Sequence, residues 1–337
     1  MPSLADWTQY AALRLTLGFI EPFPPDQAIQ SAKAFATLYA RCARKRTERA
    51  RVNIARSFPD LTREQSDRIA LDSVRNMFEL FMVDAMVMPK VVAEWSWQRH
   101  VHFGRFDDAL DLLLSDRPCI FLTGHIGNWE LLGYVIALLG FRMTALARPL
   151  DNPLVSDWLF RSRQLSGLQV ITKWGATEEL QRIVQSGGKI AFVADQNAGD
   201  DGLFVPFFGR LASTYKSIGL LAMRYRLPIV AGMAARIDER FQYEISALDM
   251  ILPEEWETQE DPLFYITARY SRAIETMVRA APEQYLWIHR RWKSRPKFER
   301  EGLPMPHRLR EKLESLPWMT DELLASCERR DEMNVVR

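Results

Sequence analysis

The stretch "FLTGHIGNWELLGYVIALLGF", residues 121–141, sets His125 and Glu130 five positions apart at the mouth of an apolar run. Histidine takes up and releases protons near neutral pH, and a carboxylate on one ring nitrogen fixes the tautomer and makes the other more basic. On one ideal helix, residues five apart stand about 140° from each other and do not meet. His125 is therefore expected on the turn before a helix, with Gly124 and Gly127 permitting a tight path and Glu130 reaching back from the first turn. Such a pair would draw a proton from a hydroxyl, and free N–H groups at the helix start would help hold developing negative charge. A structural histidine satisfied beside a core strand meets the same spacing, so the surrounding elements decide its meaning.

Those elements are of two kinds. The first hundred residues read as helical. Asp26 is placed to cap "QAIQSAKAFATLYARCARKR", and "TREQ" at 62–65 is a capping-box pattern opening a helix toward Met86. Its apolar positions Ile69, Val74, Met77, Leu80 and Phe81 recur at three-to-four spacing and predict one buried face. From Pro118, short β-type runs alternate with helical stretches: "CIFLTG", "MTALA", "LQVIT", "IAFVAD" and "PIVAGMAAR" are the strands, and "QYEISAL" is expected to add an antiparallel edge pair. This alternation predicts an α/β fold, a mostly parallel central sheet flanked by helices, with a helical N-terminal region. The expected organisation is a helical region over 1–100 packed on an α/β core over 101–298, then a charged, partly helical, peripheral tail over 299–337. Ligands of such sheets bind outside the carboxyl ends of the strands. His125 follows the first of these strands, Arg148 the second, and Asp195 with Gln196 the fourth, which favours a functional reading of the histidine.

Composition excludes more than it selects. A net charge of +1 over 337 residues gives no polyelectrolyte role, and 47% apolar residues fit a globular chain. Three scattered cysteines, Cys42, Cys119 and Cys327, form neither a CxxC pair nor a disulfide framework, and Cys119 reads as core. No secretory signal pattern is visible at the start, and the best N-terminal apolar segment is broken by Arg14, short of the ~18 to 20 residues of a membrane span. There is no G-x-S-x-G elbow, no P-loop and no HExxH, and five histidines without a ligand cluster predict no metal site. No cofactor is expected.

The motifs "HIGNWE", "ARPLDNP", "ADQN", "VPFFGR" and "YLWIHRRWKSRP", in that order, with "RVNIARSFPDLTREQ" before them, resemble the late acyltransferases of lipid A biosynthesis, the lauroyl and myristoyl type. The likeness runs from about residue 45 to 297. It implies transfer of a fatty acyl chain from acyl carrier protein to a hydroxyl of a lipid A precursor, with no acyl-enzyme. His125 would be the general base and Glu130 its orienting partner. Arg148, Asp195, Gln196 and Asn128 would bind substrate or the oxyanion, Asp195 by way of a pairing with Arg148. Phe207 and Phe208 would wall the acyl chain.

The basic runs "RCARKRTERARVNIAR" and "HRRWKSRPK" read as phosphate- or membrane-binding, with Arg290, Arg291 and Lys293 the candidates. Acidic acyl carrier protein is a second natural partner for them, and the near-neutral total weighs against nucleic acid. Trp7, Tyr10, Leu13, Leu17 and Ile20 would form the apolar face of an interfacial helix, giving peripheral attachment. The resemblance implies that the membrane is a bacterial inner membrane, at its cytoplasmic face. A different glycolipid or phospholipid acceptor, an acyl-thioester hydrolase and a non-catalytic lipid-binding protein are the alternatives.

Overall fold

Five helices open the chain: α1 (Leu4–Ile20), α2 (Pro25–Cys42), α3 (Arg44–Ser57), α4 (Arg63–Glu79) and α5 (Ala85–Val91). The computed structural model describes residues 2–20, 22–147, 149–172 and 176–329. Pro25 starts α2, its fixed φ suiting the first helical position, so Asp26 lies inside the first turn instead of capping it. The capping box before α4 forms as read, Gln65 N donating to Thr62 Oγ1 at 3.2 Å and Thr62 N to Gln65 Oε1 at 2.7 Å. A π-helical turn over Leu80–Asp84 joins α4 to α5. Its extra residue shifts the helical phase, so Leu80 and Val83 are buried while Phe81, expected inside, is 42% exposed.

The remainder alternates: β1 (Val101–Phe103), α6 (Asp107–Leu114), β2 (Cys119–Thr123), α7 (Trp129–Leu138), β3 (Met143–Ala147), α8 (Pro153–Gln164), β4 (Gln169–Thr172), α9 (Ala176–Gln185) and β5 (Lys189–Val193). A hairpin of β6 (Leu203–Phe207) and β7 (Arg210–Thr214) follows, then α10 (Lys216–Tyr225), β8 (Ile229–Arg236), β9 (Tyr243–Ile251), α11 (Pro253–Trp256) and α12 (Pro262–Ala280). Three short helices close the described chain, α13 (Lys297–Arg300), α14 (His307–Glu314) and α15 (Asp321–Glu328).

Seven strands form one sheet in the order β1-β9-β8-β2-β5-β3-β4. Every neighbouring pair is parallel except β8 with β9. The antiparallel partner is the expected "QYEISAL" strand, but β1 lies outside it at the sheet edge. β2 is buried along its whole length, and its alternating side chains feed two cores. Ile120 and Leu122 pack with α10, α12 and the hairpin, whereas Cys119 and Phe121 pack with α6, α7 and the N-terminal helices. The tail expected to be peripheral joins the first of these cores, with Leu313, Leu316, Leu324 and Cys327 all buried.

A buried polar cluster ties the helical region to the sheet. Asp84 accepts from Arg236 Nη2 at 2.8 Å, Tyr243 Oη at 2.5 Å and Asn128 Nδ2 at 2.9 Å. Glu79 faces Arg236 Nε at 3.2 Å and Lys33 Nζ at 3.9 Å. Burial pushes the Glu79 carboxyl up to about 7, the charges of Arg236 and Lys33 only partly offsetting it. An acid raised by folding holds its proton more tightly when folded, so it removes stability as pH rises from its ordinary 4.5 to about 7. Glu79→Gln is expected to abolish that loss: across this window, urea midpoints of the variant should gain steadily on those of the wild type. A constant difference between the two would contradict the assignment.

Among the described residues no helix is long and apolar enough to cross a membrane. α1 lies against α8, Asn152 Nδ2 donating to Asp6 O at 3.0 Å and Gln9 Oε1 at 3.1 Å. Tyr10, Leu13 and Leu17, expected on the outward stripe, turn toward the protein, and Leu4, Trp7, Leu15 and Phe19 face out. The side chain of Ile20 lies outside the described residues.

Candidate active site

The turn between β2 and α7 is fixed from both sides. His125 O accepts from Leu286 N at 3.0 Å, Gly127 N donates to Gln284 O at 3.2 Å, and Asn128 N donates to Ala234 O at 2.8 Å. Gly127 has φ +58°, and a Cβ there would stand 2.1 Å from Ala234 O, so only glycine fits. Asn128 caps α7, accepting from Leu131 N at 2.8 Å while donating to Asp84. Both ends of its amide are thus occupied and the side chain is 1% exposed, so the substrate-facing place expected for Asn128 is corrected to a structural one.

His125 finds its carboxylate one strand over. β2 and β5 are parallel neighbours with Thr123 opposite Val193, so the residues two positions past each strand end meet. His125 Nδ1 lies 2.6 Å from Asp195 Oδ1. Burial alone would raise the Asp195 carboxyl, but the charge of His125 and its hydrogen bond outweigh that and hold it well below the carboxylate range. A carboxylate can only accept, so Nδ1 keeps a proton and the site left for proton exchange is Nε2. Gln196 Nε2 lies 3.4 Å from that nitrogen. The rings of Trp129 and His289 stand 4.9 Å from the His125 ring. Burial, then the charge of His125, brings His289 down to about 4, which keeps it neutral. The second carboxylate oxygen of Asp195 and the Tyr285 hydroxyl are both buried there, and burial, then the charge of Asp195, pushes the Tyr285 hydroxyl well above its ordinary range.

Glu130 is not the partner of His125 that the spacing suggested. Its carboxylate is held by Arg163 of α8, Nε to Oε2 at 2.7 Å and Nη2 to Oε1 at 2.5 Å, with side chains 9% and 18% exposed. With Asn128 as cap, Glu130 lies in the first turn on the side facing α8, while Asp195 takes the imidazole. Arg163 was not singled out by the sequence. It stands two residues from Arg161, which is 78% exposed and pairs within its helix to Asp157. Arg148 lies outside the described residues, so its expected pairing with Asp195 is outside them too.

Beside this pair, between α7 and the sheet, lies a pocket with about 760 Å³ of empty space, its open mouth included. Phe121, Leu132, Ile136, Met143 and Leu168 make it apolar, and Trp129, Glu130 and Arg163 also line it. Trp129 therefore touches both the pocket and His125.

Phe207 and Phe208 are not among its lining residues, contrary to expectation. "FFGR" is a two-residue hairpin turn with φ +53° at Phe208 and +64° at Gly209, a conformation that matches the strand twist. Both phenylalanines are buried among Phe58, Trp287 and Trp292 in the core on the other sheet face. Arg291, expected to meet phosphate or membrane, is 2% exposed. It donates to Ser213 O at 2.5 Å and Thr214 Oγ1 at 2.7 Å, anchoring the hairpin, while Arg290 and Lys293 are exposed. Among the described residues no three His, Cys, Asp or Glu side chains converge as metal ligands.

Residues 3–294 match the bacterial lipid A biosynthesis acyltransferase family. The lipid A biosynthesis palmitoleoyltransferase of Escherichia coli (strain K12) is 27% identical over 264 residues, 75% of this chain and 80% of that protein. Lipid A biosynthesis acyltransferase 2 of Shigella flexneri is 22% identical over 302 residues, 88% and 93% of the two chains. The lipid A biosynthesis lauroyltransferase of Escherichia coli (strain K12) is 28% identical over 159 residues, 47% and 49%. The family match spans the histidine turn, the pocket and the partner strands together, and the chain belongs to the bacterial lipid A biosynthesis acyltransferases, a family of acyl-transferring enzymes.

Proposed function

We propose that this enzyme moves a fatty acyl chain from a thioester on acyl carrier protein to a hydroxyl of a lipid A precursor or a related glycolipid. The observation that carries the reading is the apolar pocket lined in part by Trp129, whose ring stands 4.9 Å from that of His125. A chain in that pocket with its carbonyl carbon at Trp129 would set that carbon near a base whose other nitrogen is held by a buried carboxylate. His125 Nε2 takes the proton of the acceptor hydroxyl as its oxygen attacks the thioester carbonyl. The tetrahedral intermediate then collapses, the C–S bond breaks, and the leaving thiolate receives the proton from the imidazolium. The Gln196 amide is a candidate donor to the oxyanion, and Arg148 is another on the strength of the motif resemblance.

The outward side chains Leu4, Trp7, Leu15 and Phe19 of α1, with Phe35 and Leu38 of α2, favour seating in a membrane interface. Exposed Lys293 suits contact with anionic headgroups. Together these support peripheral attachment to the cytoplasmic face of an inner membrane. The test is thiol release from an acyl carrier protein thioester with and without glycolipid: release should depend on the acceptor. Free fatty acid formed at the full rate without acceptor would make the protein a hydrolase.

The pocket also yields a chain-length prediction. A Cβ on Gly133 would lie 3.4 Å from Leu168 Cδ2, so a larger side chain there can only enter the pocket. Gly133→Leu is expected to disfavour the longest donors first, by about 0.8 kcal/mol for each methylene displaced. An unchanged chain-length profile in competition assays would remove this pocket from acyl recognition.

A further inference from the structure

Two basic runs far apart in sequence meet on one surface, where Arg49 reaches a backbone carbonyl 239 positions on. α3 lies along the segment that follows Tyr285, with Arg49 Nη1 donating to Ile288 O at 3.3 Å. Asn53 Nδ2 donates to Trp287 O at 3.2 Å and His289 O at 3.4 Å. Arg290 follows directly and is exposed, as is Arg46 one turn before the half-buried Arg49. The Arg46 guanidinium donates to a neutral group, Tyr39 Oη, at 2.6 Å.

These arginines differ from the others around the core. Arg75, Arg163, Arg236 and Arg269 each face a carboxylate. Among the described residues, none pairs with Arg46, Arg49 or Arg290, and Glu48, the acid of the same helix turn, is held by Arg51. Partial burial, then the charges of Arg290 and Arg46, keeps the Arg49 guanidinium below its ordinary range. The folded chain thus holds three like charges close together, which is unfavourable until an anion joins them. Their location is also specific, because Arg290 adjoins His289 and the His289 ring is 4.9 Å from that of His125.

We propose that Arg46, Arg49 and Arg290 form a phosphate-binding site that seats an anionic group of one substrate beside His125. The assignment rests on the acyl-transfer reading above. Guanidinium groups suit this task because each can donate two parallel hydrogen bonds to phosphate oxygens. The phosphate has two possible sources, a phosphorylated acceptor sugar or the phosphopantetheine arm that carries the acyl thioester.

The experiment compares the wild type with Arg49→Gln/Arg290→Gln, whose fold is checked by circular dichroism. Four substrates are used: the glycolipid acceptor with and without its phosphate, and the acyl chain on phosphopantetheine or on pantetheine. For one phosphate-bearing substrate the double variant should raise KM roughly ten-fold or more, with kcat and the KM of its phosphate-free counterpart within about two-fold. A shift in the acceptor arm assigns the site to the acceptor, and a shift in the donor arm assigns it to the phosphopantetheine linker. Equal effects on phosphorylated and phosphate-free substrates in both arms would overturn the site. If the wild type transfers no acyl group to any acceptor, the acyl-transfer reading fails, and inorganic pyrophosphate then tests the site alone. Stabilisation of the wild type by pyrophosphate, lost in the double variant, supports the site, and equal melting shifts in both proteins reject it.

Discussion

Purified His125→Ala is expected to lose acyl transfer by about 10²–10⁴-fold in kcat while keeping its fold and its affinity for the donor. The imidazole is half-buried at a turn whose backbone, not its ring, makes the anchoring bonds to Leu286 and Ala234, so removing the ring leaves the turn in place. Asp195→Asn should fall in kcat nearly as far. Its amide can donate as well as accept, so it no longer forces the proton onto Nδ1, and the Nε2 lone pair is lost from the hydroxyl. Removal of the carboxylate that orients the histidine of a serine protease costs about 10⁴-fold for this reason. The check is kcat and KM for both variants, with circular dichroism and melting temperature alongside. A His125→Ala enzyme with full activity, or an Asp195→Asn enzyme with normal kcat, would remove the pair from the chemistry.

Glu130→Ala is expected to damage both stability and turnover, for a different reason. Its carboxylate and the Arg163 guanidinium form a bidentate pair that is largely buried at the pocket wall. Removing one member of such a pair leaves an uncompensated charge and costs about 3–5 kcal/mol. Burial works against the Arg163 charge, and Glu130 is what overcomes it. Glu130→Ala/Arg163→Ala should therefore be less destabilised than the sum of the two single variants, with a coupling of about 1–3 kcal/mol by urea denaturation. The kcat losses of Glu130→Ala and Arg163→Ala should resemble each other and should not resemble that of Asp195→Asn in their pH dependence. If Glu130 instead orients His125, Glu130→Gln will reproduce the Asp195→Asn kinetics and leave Arg163→Ala without coupling.

These two pairs mark where sequence reading succeeds and stops. The strand ending at Thr123, the glycines that shape the next turn, and the helix that starts after Asn128 are local, so their patterns place His125 correctly. Which carboxylate reaches it depends on β5 lying beside β2, a pairing of segments 70 residues apart that no local period encodes. Glu130 is nearer in sequence, but the cap at Asn128 turns it toward α8. Arg163 is invisible for the same reason: only the packing of α8 distinguishes it from the exposed Arg161.

Of the remaining differences, one has a local signal and the others rest on packing. Gly209 between two β-type runs marks a hairpin turn, and that turn sends Phe207 and Phe208 to the far side of the sheet. The π turn at Leu80–Asp84 moves Phe81 outward without any change in the apolar spacing. In α1 both stripes carry large apolar side chains, so the sequence cannot say which one α8 covers. Arg291 stands between two exposed cations, and only the hairpin that accepts its hydrogen bonds makes it structural.

Mass spectrometry of the acceptor lipid tests the central claim most directly. Wild type and His125→Ala are each incubated with a panel of acyl carrier protein thioesters and a hydroxyl-bearing lipid A precursor. The account predicts an acceptor heavier by one esterified acyl chain in the wild-type reaction and a nearly unchanged acceptor in the variant. Equal acylation by the two proteins, or an unmodified acceptor with the wild type across the whole panel, would contradict it.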